Sequence, residues 1–345
     1  MNSTTTPSSA ESPHGNVPPI VIHMPQPPPR RRWWSGIVGL ILVLSILFNF
    51  ALLSMVSSQF VDTSGPNEHF HSGDATAVDK IAILEISGTI MPPFTERVLK
   101  ALEKAEKDEH VKGIAVIIDS PGGLVADSHQ IYHKMTQVRQ TKPMVVAMKR
   151  LAASGGLYVA MGAGPEAKIY AEPTTWTGSI GVIIPRYDVS ELAQRWGVAS
   201  DPLTTGEFKD SLSPFRKMTE REEVVWKEII DDAFVRFIKV IDDNRSSLDE
   251  AGVRKLATGR IFTAESAKKE GLIDVIGYED EAIQSLQDQL GLTSVRRVKY
   301  VSPPTLIDIL AGSVKAEPDP WQTLIEATIP RALYLCSWGH AVRND

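Results

Sequence analysis

Met144-Val-Val-Ala-Met-Lys-Arg-Leu-Ala-Ala-Ser-Gly-Gly-Leu-Tyr158 is the stretch on which the fold turns. Met144 to Met148 is a short apolar run of the kind that forms a buried strand, and a helix is expected from Ser154 to Met161. A residue at such a strand-to-helix handover stands at the carboxyl end of a parallel sheet, where open α/β sheets hold their sites. Upstream, Ile81 to Ile86 and Gly113 to Ile118 read as further buried strands, and 95–108 and 124–140 carry helical spacing. Strands alternating with helices of this length imply right-handed crossovers and a mostly parallel sheet. Downstream, strands are expected at Lys168–Ala171, Gly181–Ile184, Ala199–Thr205 and Leu272–Ile276, and helices at 188–196, 219–245 and 279–290. Thr219-Glu-Arg-Glu222 offers a capping signal, with Thr as cap and Glu three residues on.

The chain has 345 residues, 43% of them hydrophobic and 23% charged, which suits one α/β domain with appendages. A net charge of -6 argues against nucleic acid as a partner, because phosphate contact needs clustered Lys and Arg. The single cysteine, Cys336, excludes an intramolecular disulfide and any cysteine-based metal cluster.

Residues 1–32 are rich in Ser, Thr and Pro and end in Arg30-Arg-Arg32, which reads as a disordered tail. Residues 33–56 begin with Trp33-Trp34 and continue as an apolar run broken only by Ser45, Asn49 and Ser54. That is about the 20 residues a membrane-crossing helix needs. The three arginines before it keep the tail cytoplasmic and send the rest of the chain to the outer side of the membrane. Residues 57–78 read as a linker and 79–302 as one α/β domain. Residues 303–345, with five prolines among apolar pieces, form an arm of unassigned role.

Ser154 is a candidate nucleophile at a helix N-terminus, whose amides suit a developing negative charge; serine is equally a favoured helix cap. Gly155 permits close approach of the backbone. In Asp119-Ser-Pro-Gly-Gly123, consecutive Gly122 and Gly123 can turn an amide into a site, and Ser120 is a rival hydroxyl. Lys209, in Gly206-Glu-Phe-Lys-Asp210, can take a serine proton only if it is desolvated and uncharged. Asp210 is therefore expected to point away from it. Ser179, in Thr177-Gly-Ser-Ile-Gly-Val182, is placed to hold the amine. His129 and His133 lie four apart on a helix without a third metal ligand and read as solvated. No histidine is placed to complete a triad with Asp119, and no metal or cofactor is implied.

In conjunction, these segments resemble the short form of the signal peptide peptidase A family of membrane-anchored serine-lysine proteases. The resemblance runs from about Asp79 to Gln289. It adds Lys209-Asp-Ser-Leu-Ser-Pro-Phe-Arg216 with Met218-Thr-Glu-Arg-Glu-Glu223, then Ala257-Thr-Gly-Arg-Ile-Phe262 and Ala267-Lys-Lys-Glu-Gly-Leu-Ile-Asp274. It implies a Clp-protease/crotonase-like α/β fold, a spiral of ββα units, preceded by one transmembrane helix. It implies Ser154 as nucleophile, Lys209 as general base, Ser179 as the residue positioning the lysine, and Gly122, Gly123 and Gly155 around the oxyanion and substrate. It further implies a homo-oligomer in which copies can share site residues, acting on hydrophobic peptides such as signal peptide remnants at the cytoplasmic membrane. Leu157 departs from the aromatic pair the family often carries after Ser-Gly-Gly, and the arm after 303 has no counterpart. Two other readings keep the fold: a crotonase-like acyl-CoA enzyme, which lacks visible paired carboxylates, and an inactive membrane scaffold, which the intact Ser154 and Lys209 oppose.

Overall fold

The computed structural model describes residues 37–49, 66–301 and 333–335. The chain divides into two units, Met1–Gln59 and Phe60–Asp345. In the first, residues 37–49 form helix α1, whose large apolar side chains from Ile37 to Phe48 are exposed. Asn49 Nδ2 donates to the Ser45 carbonyl at 2.7 Å, so the amide's polarity is met within the helix. Among the described residues no helix is long and apolar enough to cross a membrane. The tail 1–32 and the rest of the expected span, 33–36 and 50–56, lie outside the described residues.

The second unit is built on a sheet in the order β1-β10-β2-β3-β5-β6-β9. Its first elements are β1 (Asn67–Gly73), β2 (Lys80–Ser87), α2 (Phe94–Lys107), β3 (Val111–Ser120), β4 (Gly122–Leu124), α3 (Val125–Val138) and β5 (Met144–Ala153). The middle brings α4 (Gly155–Ala160), β6 (Ile169–Ala171), β7 (Trp176–Gly178), α5 (Ser190–Arg195) and α6 (Glu220–Asn244). The remainder is α7 (Glu250–Leu256), β8 (Ile261–Thr263), α8 (Ala264–Lys269), β9 (Val275–Ile276), α9 (Glu279–Gln289), β10 (Arg296–Val301) and β11 (Leu333–Leu335). From β10 to β9 every neighbour pair along the sheet is parallel, and β1 runs antiparallel on the edge.

The central strands read as unbroken apolar runs because helices cover both faces. Ala82, Leu84 and Ile86 of β2 face α2, α3 and α6, joining Leu102, Ile131 and Phe237. Ile81 and Ile83 point the other way, onto Ile283 and Leu286 of α9. Helix α2 buries Val98, Ala101, Leu102 and Ala105, the i, i+3, i+4, i+7 spacing of one helical face. At the start of α6, Thr219 and Glu222 form the expected capping box: Thr219 Oγ1 accepts from the Glu222 amide, and the Glu222 carboxylate accepts from the Thr219 amide.

Three expectations need correction. Ala199–Thr205 is irregular and exposed rather than a strand, since its alternation has no neighbouring strand to pair with. Gly181–Ile184 holds no strand either; the sheet is extended instead by β7, just before it, which pairs with β5 and β8. Residues 67–73, expected within a linker, form edge strand β1, and its polar sequence follows from a largely exposed position. The arm from 303 lies mostly outside the described residues, but its Leu333–Leu335 is β11, paired antiparallel with β4.

Candidate active site

Ser154 stands between β5 and α4 at φ 55 and ψ -115. Among the described residues only Ser154 and Ser179 carry positive φ without being glycine. Such conformations cost on the order of 1–3 kcal/mol and persist where surrounding structure enforces them, typically at functional sites. Here the enforcement is visible. The Ser154 amide donates to the Gly178 carbonyl at 2.7 Å, and Ala153 pairs with Gly178 across β5 and β7. The Ser179 amide donates to the Arg260 carbonyl at 2.7 Å. Two parallel strands thus end side by side, and the next residue of each is a serine bent away from the strand path.

Ser154 is 1% exposed. Its hydroxyl makes no side-chain capping bond to α4 and has no hydrogen-bond partner among the described residues. The capping alternative therefore fails. What remains is a buried, unbonded hydroxyl on the residue that immediately precedes α4.

The glycine loop closes over this point. A side-chain carbon on Gly155 would lie 2.5 Å from Ser128 Oγ and 3.1 Å from the Gly123 amide nitrogen. One on Gly122 would lie 2.5 Å from the Gly155 amide nitrogen. The loop and the start of α4 therefore pack backbone to backbone, which only glycine permits. The Gly122 amide donates to Ser120 Oγ at 3.1 Å, and Ser120 donates on to the Gly88 carbonyl at 2.6 Å. Ser120 is thus a buried brace for the loop, not a nucleophile. The Gly123 and Gly155 backbones meet at this contact, at the residue next to Ser154.

Lys209 lies on the turn after Gly206, with its side chain exposed. The turn is braced from below: Trp226 Nε1 of α6 donates to Ser211 Oγ at 2.8 Å, and Ser211 donates to the Phe208 carbonyl at 3.0 Å. The Asp210 carboxylate is taken by Arg216, at 2.7 and 3.0 Å, as expected of a residue turned from the amine. That guanidinium holds the Asp210 carboxyl below its ordinary range. Arg216 also binds Glu222, which is 1% exposed and has its carboxyl pulled to about 2 by the same cation. The hydrogen bond between Lys209 and Ser154 that a dyad needs is not formed within the single chain.

Sequence reasoning missed three participants. Ser128 is a second fully buried hydroxyl without a partner, set against Gly155. His129 is half-buried rather than solvated: its Nδ1 lies 2.8 Å from Tyr158 Oη, and burial pushes its imidazole below the usual value. Tyr158, one helical turn past Ser154, is fully buried, and burial raises its phenol. No sequence spacing signals these, because α3, α4 and α6 bring them together only in three dimensions. Among the described residues no group of His, Cys, Asp and Glu is arranged to hold a metal.

Comparison with known proteins places the chain among peptidases. Residues 136–293 match the model of peptidase family S49, and residues 71–176 match that of Clp protease. A protein of Enterococcus faecium named signal peptide peptidase SppA is 35% identical over 237 residues, 68% of this chain and 67% of its own length. A protease of Synechocystis sp. is 37% identical over 213 residues, 62% of this chain and 75% of its own. Protease 4 of Salmonella typhi is 31% identical over 67% of this chain, which spans 38% of that longer protein. With its α/β fold, parallel sheet and strained buried serine, the chain belongs to the S49 family of serine peptidases, alongside the signal peptide peptidases.

Proposed function

We propose that this chain is a membrane-anchored serine endopeptidase in which Ser154 and Lys209 form the catalytic dyad, with Lys209 supplied by a neighbouring copy. The observation that carries the proposal is the state of Ser154: buried, strained, unbonded and followed directly by the Gly155 backbone, which packs on the Gly122–Gly123 loop and so brings the Gly123 and Gly155 amides close to it. In the reaction, the Ser154 hydroxyl attacks the peptide carbonyl while the neutral Lys209 amine takes its proton. The oxyanion is held by the two amides. Collapse breaks the C–N bond, and Lys209 returns the proton to the departing amine. Water, deprotonated by the same amine, then attacks the acyl-serine ester and releases the acid. Ser179, beside Ser154 at the end of β7, holds the amine in place.

Sharing between copies is supported by what surrounds Lys209. Tyr187, Leu192, Trp196, Val198 and Leu203 on the segment before it are all exposed, Leu203 fully. An apolar surface of this kind marks a protein or membrane contact. A second copy seated there would exclude water from the amine, which a general base requires. Substrates are proposed to be hydrophobic peptides such as signal peptide remnants. The anchor at 33–56 would hold the domain on the outer side of the cytoplasmic membrane, in keeping with Arg30-Arg-Arg32.

Mixing tests the arrangement. Ser154→Ala and Lys209→Ala should each lose on the order of a thousandfold or more in peptide turnover. Co-assembled, the two variants should regain activity, because some junctions then pair an intact serine with an intact lysine. A mixture as inactive as its parts would place the dyad within one copy.

A further inference from the structure

Gly122 and Gly123 do not offer two equal amides to a reaction at Ser154. The chain between β2 and α2 lies along their loop and takes up its polar groups in turn. The Gly88 amide donates to the Asp119 carbonyl at 3.0 Å, and the Ile90 amide to the Gly122 carbonyl at 2.9 Å. The Leu124 amide donates back to the Ile90 carbonyl at 2.9 Å. Ile90 is bridged in parallel to Gly123, so closely that a side-chain carbon on Gly123 would lie 2.0 Å from the Ile90 carbonyl oxygen.

Ser120 supplies the remaining tie. It is fully buried, and its hydroxyl donates its one proton to the Gly88 carbonyl at 2.6 Å. Lone pairs alone are then left toward the loop, and one of them accepts from the Gly122 amide at 3.1 Å. Gly88 holds φ at 89, yet a methyl group there would meet nothing within 4 Å. Glycine serves at that position for the direction of the chain, which aims its carbonyl at Ser120, and not for space.

Elimination then names the donor among residues 121–124. Pro121 has no amide, Gly122 gives its amide to Ser120, and Leu124 gives its amide to Ile90. Amides along an extended strand alternate in direction, so that of Gly123 is turned from Ile90 to the opposite edge of β4. That edge is the one on which β11 pairs. The close contact of Gly155 with the loop reaches the same nitrogen.

We propose that Ser120 and Gly88 are positioning residues of the oxyanion site: they hold the Gly122 amide out of the reaction and leave Gly123 as the loop's single donor. The proposal rests on the reading of Ser154 as the nucleophile. Neither residue touches substrate. Both act through the Gly122–Gly123 peptide, and a displacement of about 1 Å in such a group costs on the order of a hundredfold in rate.

The test compares two ligands on the full-length assembled protein: a hydrophobic tripeptide aldehyde, acetyl-Ala-Leu-Leu-al, and the matching alcohol. The aldehyde carbon bonds to Ser154 Oγ, its C=O π pair becomes the oxyanion, and the serine proton passes to Lys209. The alcohol only fills the site. In the parent the aldehyde should bind at least about a hundredfold more tightly. In Ser120→Ala that advantage should fall about tenfold to a hundredfold while the alcohol binds as before, and kcat should fall by a similar factor at constant KM. Gly88→Ala should reproduce the pattern through the backbone alone, and it decides the matter if the buried change unfolds the chain. An aldehyde advantage that survives in these variants overturns the proposal. A parallel loss of aldehyde and alcohol overturns it too, since Ser120 would then be a structural brace only. A parent that binds the two ligands equally would overturn the nucleophile reading itself, and this proposal with it.

Discussion

A hydroxyl buried without a partner forgoes about 1–3 kcal/mol, and a left-handed backbone at a side-chain-bearing residue adds a cost of similar order. Ser154 bears both, so its place in the fold is maintained against stability. Ser154→Gly should therefore be more stable than the parent, by about 1–2 kcal/mol in urea unfolding, while losing all turnover; a destabilised variant would show that the serine is structural. Gly155→Ala goes the other way: its methyl group would meet Ser128 Oγ at 2.5 Å, and both activity and stability should fall. Charge acts at this scale too. Arg216 draws the Glu222 carboxyl down from its ordinary 4.5 to about 2, so the pair's contribution is complete above pH 4.5 and drains away as pH falls towards 2. Glu222→Gln should flatten the acid limb of the stability profile in that window. Ser154 was legible from its sequence because strand, serine and glycines lie in one stretch. Ser128 and Tyr158 were not, since nothing along the chain records which side chains meet across helices.

At the level of elements, apolar runs located the buried strands because both sheet faces are covered, so almost every residue at the centre of each strand is apolar. Exposed elements escape that logic. β1 carries Asn, Glu, His and Ser because an edge strand facing water needs no apolar period, and it reads as linker. Ala199–Thr205 has strand-like residues but no neighbour, and pairing rather than propensity decides. β11 is three residues long and invisible until β4 is present to receive it. The start of α6 was readable, since its capping box is local in sequence. Thr219→Ala removes the acceptor for the Glu222 amide and should cost about 1 kcal/mol in thermal or urea unfolding. Because that box also orients Glu222 against Arg216, and Arg216 against Asp210, the same change should loosen the Lys209 turn and lower turnover.

Across the second unit, helices cover a mostly parallel sheet, with Ser154, the proposed nucleophile, buried and Lys209, the proposed base, exposed. The surface from Tyr187 to Leu203 carries Trp196 at 80% exposure and Leu203 at full exposure, a poor end state for a monomer in water. Trp196→Glu with Leu203→Glu should break the proposed assembly in sedimentation experiments and abolish turnover, yet leave the far-ultraviolet circular dichroism unchanged, because neither side chain belongs to the core. Loss of activity without dissociation would detach the surface from assembly.

The most direct measurement is covalent labelling of the full-length assembled protein by a serine-directed phosphonate, with the modified residue identified by mass spectrometry. One adduct is expected, on Ser154, at a rate that collapses in Lys209→Ala and returns when Lys209→Ala is co-assembled with Ser154→Ala. An adduct on another serine, or one on Ser154 formed equally fast without the lysine, would contradict it.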